Sequence, residues 1–321
     1  MLASTHFLTL AALLTVATVH AATYHIAETN VGKSFYDHFD FEAIPDPTHG
    51  RVNYLNKKDA QSQNITYAGK DSFILRVGTK NKLSPSGPGR SSVRLKSKKL
   101  WNKHVTVIDL RHMPQGCGTW PAIWEFAPTP SWPYGGEVDI LEGVNDQAAN
   151  QAALHTDAGC TMSNLKQSGK LLHSDCNAFA DGNTGCTTQF TKANSFGPSF
   201  NKHGGGYFAM ERTSSSIKVW FWPRSGGGAP SAIVKGSKSI DPSKWGTPMA
   251  SYNSNSCNIG SKFKASNVII NIALCGDWAG SPAVWGQSAC ASKGDCVSYV
   301  NNNPAAFKNA YFNFKALRVY T

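Results

Sequence analysis

Short segments of alternating or continuous apolar character recur along this chain. In 217–222, Ile, Val and Phe alternate with Lys and Trp, and 91–95 repeats the alternation around a central valine. Segment 268–274 is a nearly continuous apolar run of strand length, and 105–110 and 137–141 are similar. Alternation with period two is typical of half-buried strands, and short apolar runs are typical of strands buried on both faces. The pattern predicts a protein built mainly of short β-strands.

Stretches rich in glycine, proline and asparagine separate these segments, for example 84–89, 203–206 and 225–230. Because no helical pattern alternates with the strands, the arrangement predicts an antiparallel sandwich or barrel. Only 16% of the residues are charged, which excludes a charge-rich disordered chain. No linker or repeat is visible, so we expect 22–321 to form one domain. The long loop 175–198 is expected to be functional or stapled by a disulfide.

The N-terminal segment predicts secretion. It lacks charged residues through position 22, and its apolar run at 7–19 ends in Val-His-Ala, small residues of the kind that a signal peptidase reads. We therefore expect a signal peptide over 1–21. The alternative is a buried helix or a membrane anchor, but the run is too short to cross a bilayer comfortably. Asn64 begins the sequon Asn-Ile-Thr and is a candidate glycosylation site of a secreted chain.

Eight cysteines fit a secreted protein. In an oxidising compartment an even number of cysteines predicts disulfides, although the sequence does not choose among the many pairings. The rival interpretation is a metal site. The cysteines form no Cys-x-x-Cys pair and have no zinc-finger spacing, so we expect neither a metal nor another cofactor. The eight are Cys117, Cys160, Cys176, Cys186, Cys257, Cys275, Cys290 and Cys296.

The segment 132–145, WPYGGEVDILEGVN, carries the most informative chemistry. Glu137, Asp139 and Glu142 stand at positions i, i+2 and i+5, with apolar residues between them. In a regular strand the first two share a face and Glu142 falls on the other, because successive side chains alternate. A β-bulge between Asp139 and Glu142 would return the third acid to the acidic face. The spacing therefore predicts three carboxyl groups on one face of a bulged strand.

Clustered carboxylates repel one another, and the repulsion predicts a chemistry. Two carboxylates about 5 Å apart repel by about 3 kcal/mol at an effective dielectric constant of about 20, which holds a proton on one of them near neutral pH. One ionised and one protonated carboxyl are what cleavage of a glycosidic bond requires, and Asp139 is placed to hydrogen-bond Glu137 and set its ionisation. The alternative, a solvated strand face, is disfavoured by the apolar residues between the acids.

The same segment resembles the signature of glycoside hydrolase family 16. The likeness is strongest to the fungal endo-1,3(4)-β-glucanases, or laminarinases, whose active-site strand carries Glu-x-Asp-x-x-Glu. Further blocks resemble the same group, so the resemblance extends from about residue 35 to the C-terminus. These blocks are 89–94 (GRSSVR), 116–124 (GCGTWPAIW), 155–156 (HT), 159–162 (GCTM), 271–280 (NIALCGDWAG) and 302–307 (NNPAAF).

The resemblance implies a β-jelly roll, in which two curved antiparallel sheets form a concave substrate groove, and a retaining double displacement. It implies that Glu137 is the nucleophile, Glu142 the general acid/base and Asp139 the residue that assists them. These three positions do not depart from the family pattern. The sequence varies elsewhere, for example at Ile123, where Phe is common, and such changes bear only on substrate preference.

Glucan chains present flat apolar sugar faces and many hydroxyl groups, so stacked aromatic rings and polar side chains bind them. The resemblance places His155 beside the catalytic carboxylates, and Arg90 and Asn53 near sugar hydroxyls. The alternatives are a structural histidine, a turn or a surface ion pair. The candidate groove tryptophans are Trp120, Trp124, Trp132 and Trp278, whereas Trp220, Trp222 and Trp245 are expected only to pack.

The chain carries 31 Lys and Arg against 20 Asp and Glu, a formal charge of +11. Lys96, Lys98, Lys99 and Lys103 form the densest basic cluster. A nucleic-acid patch is disfavoured by the secretory signal and by the absence of a recognition motif. A solvated face is the simplest interpretation, and adhesion to anionic cell-wall polymers is a hypothesis that salt dependence would test.

These features together predict a secreted, monomeric endo-1,3(4)-β-glucanase that acts on β-1,3 and mixed-linked β-glucans with retention. Its partner is the polysaccharide, with no nucleic acid, membrane, metal or cofactor. One alternative is a cell-wall transglycosylase, which passes the glycosyl group to a sugar instead of water. The other is a non-catalytic glucan-recognition protein on the same fold, which is expected to have lost the carboxylates that this chain retains.

Overall fold

Two antiparallel β-sheets stack face to face in the computed structural model, which describes residues 23–163 and 165–321. The predicted all-β sandwich is confirmed. The predicted signal peptide over 1–21 lies outside the described residues. No helix among the described residues is long and apolar enough to cross a membrane.

The strands follow the predicted segments closely. Their bounds are β1 Tyr24–Asn30, β2 Phe39–Phe41, β3 Val52–Tyr54, β4 Thr66–Ala68, β5 Phe73–Arg76, β6 Arg90–Ser92, β7 Arg94–Ser97, β8 His104–His112, β9 Thr119–Phe126, β10 Glu137–Glu142, β11 Gln151–His155, β12 Lys170–Leu171, β13 Cys186–Gln189, β14 Gly206–Arg212, β15 Ser216–Pro223, β16 Ser239–Ile240, β17 Ala250–Asn253, β18 Asn267–Leu274 and β19 Tyr311–Tyr320.

The groove sheet has the order β12-β13-β11-β10-β9-β18-β7-β2, and its outer face carries the candidate site. The back sheet has the order β16-β1-β19-β8-β14-β15-β17, with β5 beside β19 and β4 beside β5. Strands β3 and β6 form a separate parallel pair. Strands that are far apart in the sequence can be neighbours in the sheet. For example, β9 lies between β10 and β18.

The helices are short connectors, and four of the eight have a side-chain cap at the N-terminus. Asn56 caps helix Lys57–Ser62 by accepting from Asp59 N–H at 3.0 Å, and Asp295 caps helix Cys296–Asn302 by accepting from Ser298 N–H at 2.8 Å. Such caps satisfy amide groups that a short helix leaves unpaired. The helices are α1 Ser34–His38, α2 Lys57–Ser62, α3 Gly197–Lys202, α4 Ser231–Lys235, α5 Ile259–Lys262, α6 Gly276–Ala279, α7 Pro282–Gln287 and α8 Cys296–Asn302.

The main core lies between the two sheets. Alternate residues of β18, such as Ile270 and Ile272, meet aromatic residues of the back sheet such as Phe208 and Phe314. A second apolar cluster covers the outer face of the back sheet, where Trp245 packs edge-on against Trp220 and Trp222. These three tryptophans are buried and therefore pack, as predicted.

A buried ionic cluster also joins the sheets. Glu125 of β9 lies 2.9 Å from His104 Nε2 of β8 and 3.9 Å from Arg212 Nη1 of β14. The three side chains are fully buried or nearly so. Arg212 also donates to Ser266 Oγ at 3.0 Å and to the carbonyl of Lys264. The guanidinium of Arg212, on the back sheet, therefore bonds the segment just before β18 as well as Glu125. This links the start of β18 to the back sheet.

All eight cysteines are paired, which confirms the disulfide prediction. Cys176–Cys186 closes the long loop after β11, so that loop is stapled as expected. Two pairs tie the site strands to the C-terminal helical region. Cys117, just before β9, pairs with Cys290, and Cys275, just after β18, pairs with Cys296. The fourth pair, Cys160–Cys257, joins two loops.

Surface features agree with a solvated basic face. Lys96 pairs with Glu42 at 2.6 Å, and Lys99 lies 3.5 Å from Glu28, so part of the lysine cluster is neutralised locally. Lys98 donates to the carbonyl of Asp37 at 2.7 Å. Asn64 is exposed, and its glycosylation stays a prediction.

Candidate active site

Strand β10 carries the predicted bulge. Asp139 pairs with Trp124 of β9, but Leu141, two residues on, pairs with the adjacent Ile123. The same irregularity appears against β11, between Asp139 and Glu142. The inserted residue turns Glu142 back to the face that carries Glu137 and Asp139, and all three acids line one groove. Val138, Ile140 and Leu141 are buried beneath them.

The groove crosses the groove sheet and has a volume of about 1030 Å³. It extends from Leu172, just after β12, over the carboxylates of β10, to Asn271 of β18 and Asp46 near the opposite edge. Aromatic rings and carboxyl groups both line it, which gives an apolar surface with a few polar groups. Such a surface suits a long, flat, hydroxylated ligand.

Glu137 lies at the start of β10, after a glycine that the local packing requires. At Gly136 the backbone φ is 76°, and a Cβ there would lie 2.5 Å from the Phe263 ring. Trp132 Nε1–H donates to Glu137 Oε2 at 2.7 Å. Burial and the charge of Asp139 raise the pKa of Glu137 to about 8, against the opposing pull of His155, Trp132 and Arg94.

Glu142 has a matching arrangement at the other end of the bulge. Trp120 Nε1–H donates to Glu142 Oε1 at 2.8 Å, and the backbone N–H of Glu142 donates to Asn150 Oδ1 at 3.0 Å. Burial and the charge of Asp139 also raise the pKa of Glu142 to about 8. Each glutamate is thus oriented by one indole, and each favours the protonated form more than a free carboxyl does.

The electrostatic surroundings distinguish the two glutamates. The charge of Arg94, on β7, lowers the pKa of Glu137, whereas the charge of Glu137 raises the pKa of Glu142. Both carboxyl groups favour the protonated form more than a free carboxyl does, since the pKa of each is raised to about 8. The roles that the resemblance implies need Glu137 ionised and Glu142 protonated, and the charge of Arg94 favours ionisation of Glu137.

Asp139 lies between the glutamates and is 2% exposed. Its Oδ2 has no hydrogen-bond partner among the described residues and faces His155 Nε2 at 3.4 Å. The predicted hydrogen bond from Asp139 to Glu137 is not formed. Asp139 acts on Glu137 through its negative charge instead.

His155 ends β11 opposite Glu137 in the strand register. Burial disfavours its cation, but the carboxylates of Asp139 and Glu137 outweigh burial and raise the pKa of His155 to about 9. Its Nδ1 lies 2.9 Å from Asn183 Oδ1. Glu137, Asp139 and His155 offer three metal-ligand atoms within 4.8 Å of one another. A protonated imidazole does not bind a metal, so the set is better suited to proton transfer.

The structure brings most of the predicted binding residues into the groove. Trp124 Nε1–H donates to Asn271 Oδ1 at 2.8 Å, and Trp278 packs edge-on against Trp120 with ring centroids 5.7 Å apart. The contacts of these residues with sugar stay predictions. The predicted residues that line the groove are Trp120, Trp124, Trp132, Trp278 and His155.

Arg90 requires a correction. It is 2% exposed, and its guanidinium donates to the backbone carbonyls of Gly78, Asn81 and Val300. A buried guanidinium whose N–H groups are bonded to backbone carbonyls does not reach a sugar, so the role of Arg90 is structural. Asn53 is exposed on β3 and does not line the groove, so the structure gives its predicted contact no support.

Arg94 and Asn183 are among the polar groove residues that sequence reasoning missed. Arg94 lies over the Trp124 ring at 4.9 Å and pairs with Glu42 at 2.9 Å. Its position between Val93 and Leu95 marks it as a strand residue that faces away from the core, so alternation could have found it. Asn183 carries no such signal, since it approaches His155 only through the fold of a loop.

Comparison with known proteins agrees with this geometry. The profile of the XgeA-like catalytic domain of glycoside hydrolase family 16 matches residues 39–320. The chain belongs to glycoside hydrolase family 16. The jelly-roll prediction is confirmed, because family 16 laminarinase structures superpose on the two sheets described above.

Family 16 relatives cover nearly all of the chain. A probable endo-1,3(4)-β-glucanase of Aspergillus flavus is 41% identical, with 95% of this chain and 46% of the relative covered. A probable glycosidase of Schizosaccharomyces pombe is 39% identical, with 94% and 70% covered. The chain thus spans less than half the length of the Aspergillus protein.

Two solved structures of family 16 enzymes are also similar. Laminarinase 16A from Phanerochaete chrysosporium, with 6-O-glucosyl-laminaritriose in its donor and acceptor sites, is 53% identical, with a TM-score of 0.91 and coverage of 94% of this chain and 100% of that chain. An elongating β-1,3-glucosyltransferase is 37% identical, with a TM-score of 0.83 and coverage of 93% and 100%.

Proposed function

We propose that this protein is a secreted endo-β-glucanase that cleaves β-1,3 and mixed-linked 1,3-1,4 β-glucans with retention of the anomeric configuration. One observation carries the proposal most strongly. Three carboxyl groups share the floor of an aromatic-lined groove, and burial raises the pKa of Glu137 and of Glu142 to about 8, so the site holds protons for transfer near neutral pH. The likeness to a laminarinase over most of the chain supports the same substrate class.

The first chemical step forms a covalent intermediate. The Glu137 carboxylate attacks the anomeric carbon of the sugar at the cleavage point. The bond from that carbon to the bridging oxygen breaks, and Glu142 transfers its proton to the departing oxygen. Trp132 holds Glu137 in place at 2.7 Å, and Trp120 holds Glu142 at 2.8 Å, so neither carboxyl needs to reorient before the reaction.

The second step reverses these roles. Glu142, now ionised, takes a proton from a water molecule, and the resulting oxygen attacks the anomeric carbon. The ester bond to Glu137 breaks and restores the carboxylate. The negative charge of Asp139 strengthens Glu142 as a base, because it raises the pKa of that glutamate. No metal or cofactor takes part in these steps, so activity is expected to survive dialysis against a chelator.

The groove favours a polysaccharide over a short sugar. It extends well past the carboxylates on both sides, from Leu172 to Asp46, so several sugar units fit in a row. Trp124 and Trp278 offer flat apolar faces, and Asn271 and Arg94 add polar groups. Cleavage within a chain suits a groove that extends beyond the carboxylates on both sides.

One experiment tests the proposal directly. Purified protein is incubated with laminarin, lichenan and carboxymethylcellulose, and reducing ends and product sizes are measured. We expect oligosaccharides of mixed length from laminarin and lichenan, and a β-anomer as the first product in proton NMR spectra. Release from carboxymethylcellulose alone, or an α-anomer as first product, would contradict the proposal.

The glutamate roles need a separate test. An aryl glycoside with an acidic leaving group requires no proton from the enzyme, so Glu142→Ala is expected to retain the first step with it and to lose hydrolysis of laminarin. Glu137→Ala should lose both reactions. The matched control is Glu211→Gln, which changes a strand carboxyl of the back sheet that binds Tyr24 and Lys218.

A second candidate function is transfer to a sugar acceptor. It is favoured by the likeness to an elongating β-1,3-glucosyltransferase at 37% identity. Product sizes with and without added laminari-oligosaccharide separate the two functions. We expect water to be the main acceptor, and products longer than the starting chains at low acceptor concentration would favour transfer.

Secretion and the oligomeric state also belong to the proposal. Four disulfides support an oxidising compartment. The groove is complete within one chain, which supports an active monomer. Light scattering coupled to size-exclusion chromatography tests the monomer, and mass spectrometry of protein from the culture medium tests cleavage after Ala21.

A further inference from the structure

His155 lies between two hydrogen-bond acceptors on opposite sides of its ring. Nε2 faces Asp139 Oδ2 at 3.4 Å, and Nδ1 lies 2.9 Å from Asn183 Oδ1. A carboxylate and an amide oxygen only accept hydrogen bonds, so a hydrogen on each ring nitrogen gives a favourable contact on both sides of the ring. An imidazole ring with hydrogens on both nitrogens is the cation.

We propose that Asn183 is a positioning residue that keeps His155 cationic, and that this cation favours the ionised form of Glu137 among the clustered carboxyl groups. The inference rests on the proposed retaining reaction, in which Glu137 must be ionised to attack. A neutral His155 with its hydrogen on Nδ1 would present a lone pair to Asp139. The carboxyl cluster would then lose the charge that opposes its own repulsion.

The loop that carries Asn183 holds the amide against the ring. Asn183 has a φ of 62°, a left-handed conformation that asparagine tolerates, and its N–H donates to the Ala180 carbonyl at 3.0 Å. Gly185 packs so closely that a Cβ there would lie 2.8 Å from His155 Cε1. The disulfide Cys176–Cys186 closes this loop, so the staple serves the site as well as the fold.

The charged groups that face His155 come from one strand. Glu137, Asp139 and Glu142 all belong to β10 and all favour the cation. The neighbouring strand β13 carries a disulfide cysteine, two threonines and a glutamine, which bear no charge. From the back sheet, Tyr252 stays neutral because burial raises its pKa well above its usual range. Arg94 acts on Glu137 from the other side.

Three variants separate this role from a structural one. Asn183→Gly removes the amide and keeps the left-handed backbone available, whereas Asn183→Asp keeps an acceptor oxygen. Asn194→Gly is the matched control, because Asn194 also has a positive φ, 63°, and accepts from Ser199 Oγ outside the groove. Circular dichroism and Tm verify that each variant folds.

The first readout needs no substrate. In ¹⁵N NMR spectra of histidine-labelled protein, the His155 signal is assigned by its loss in His155→Gln and followed with pH. We expect a cation that persists to a pH of about 9 in the unaltered protein. The midpoint should fall by at least about one pH unit in Asn183→Gly and stay high in Asn183→Asp and Asn194→Gly. An unchanged midpoint in Asn183→Gly overturns the proposal.

The second readout is the pH dependence of laminarin hydrolysis. The acidic limb of kcat/KM reports ionisation of Glu137, so in Asn183→Gly it should move about one unit towards higher pH. A raised KM with unmoved limbs would make Asn183 a sugar contact and overturn the proposal. If the protein does not hydrolyse glucans, the NMR titration still gives its result, so the two failures are distinguishable.

Discussion

Two acid–histidine clusters lie on opposite faces of the groove sheet, and only one of them suits catalysis. In the interior, Glu125 has both His104 and Arg212 as partners and no access to solvent. In the groove, three acids share the single imidazole of His155. The interior cluster balances its charge, whereas the groove cluster has an excess of acids that only protons can offset. That excess, next to an open groove, makes protons available for transfer.

The difference between the two clusters begins with two adjacent residues of one strand. Glu125 and Trp124 are neighbours on β9, yet Trp124 lines the groove while Glu125 is fully buried between the sheets. Strand alternation alone separates them. A buried glutamate beside a histidine is therefore not by itself a sign of an active site, and the ratio of acids to cations is the better guide.

The largest expected effect comes from the groove cluster. Glu137→Gln removes the carboxylate that we propose as the nucleophile and should lower kcat on laminarin by roughly four orders of magnitude or more. Its Tm should stay the same or rise, because a half-buried charge that repels its neighbours is removed. Kinetics and calorimetry on the same preparation test both parts. A variant that keeps more than a few per cent of activity would refute the assignment.

The interior cluster should respond in the opposite sense. Glu125→Gln leaves the buried charge of Arg212 without its carboxylate, which costs about 3–5 kcal/mol of stability. For a domain of this size, Tm should fall by roughly 6–15 °C. At a temperature at which the variant is folded, kcat should be unaltered. A loss of kcat without a loss of Tm would mean that Glu125 serves the reaction.

A smaller effect is expected at the indole that holds Glu137. Trp132→Phe keeps an aromatic ring and removes one hydrogen bond to a charged group, which should lower kcat by about 10–100-fold. Because that bond lowers the pKa of Glu137, the acidic limb of the pH profile should move to higher pH. Trp278→Phe is the control, and we expect it to alter KM without moving the limb.

The smallest effect is on the pH dependence of stability. The folded-state pKa of Glu137 and of Glu142 is raised from 4.5 to about 8, so both stabilise the fold when protonated. That contribution is complete below 4.5 and is lost as pH rises through about 8. His155 has the same sign, with its contribution lost between 6.5 and about 9. Tm should fall more steeply from pH 5 to 9 in the unaltered protein than in Glu137→Gln. Parallel curves would contradict the raised pKa values.

Predictions from the sequence were most accurate for features that depend on a local pattern of residues. Alternation and apolar runs predicted the strands, and the odd spacing between Glu137 and Glu142 required a bulge that the register confirms. The prediction from the sequence was wrong at Arg90. Arg90 and Arg94 stand four residues apart in the same sequence block, and nothing local distinguishes them. Only the fold makes the first a buried structural group and the second a groove residue.

The sequence by itself determined the β architecture, the bulged acidic strand and the presence of disulfides, because each depends on near neighbours in the chain or on cysteine number. Tertiary structure alone decided the disulfide pairing, the balance of charge around each acid and the contact of Asn183 with His155. Those features depend on distances between residues far apart in sequence. The pKa values of the site follow from such distances, and no spacing in the chain encodes them.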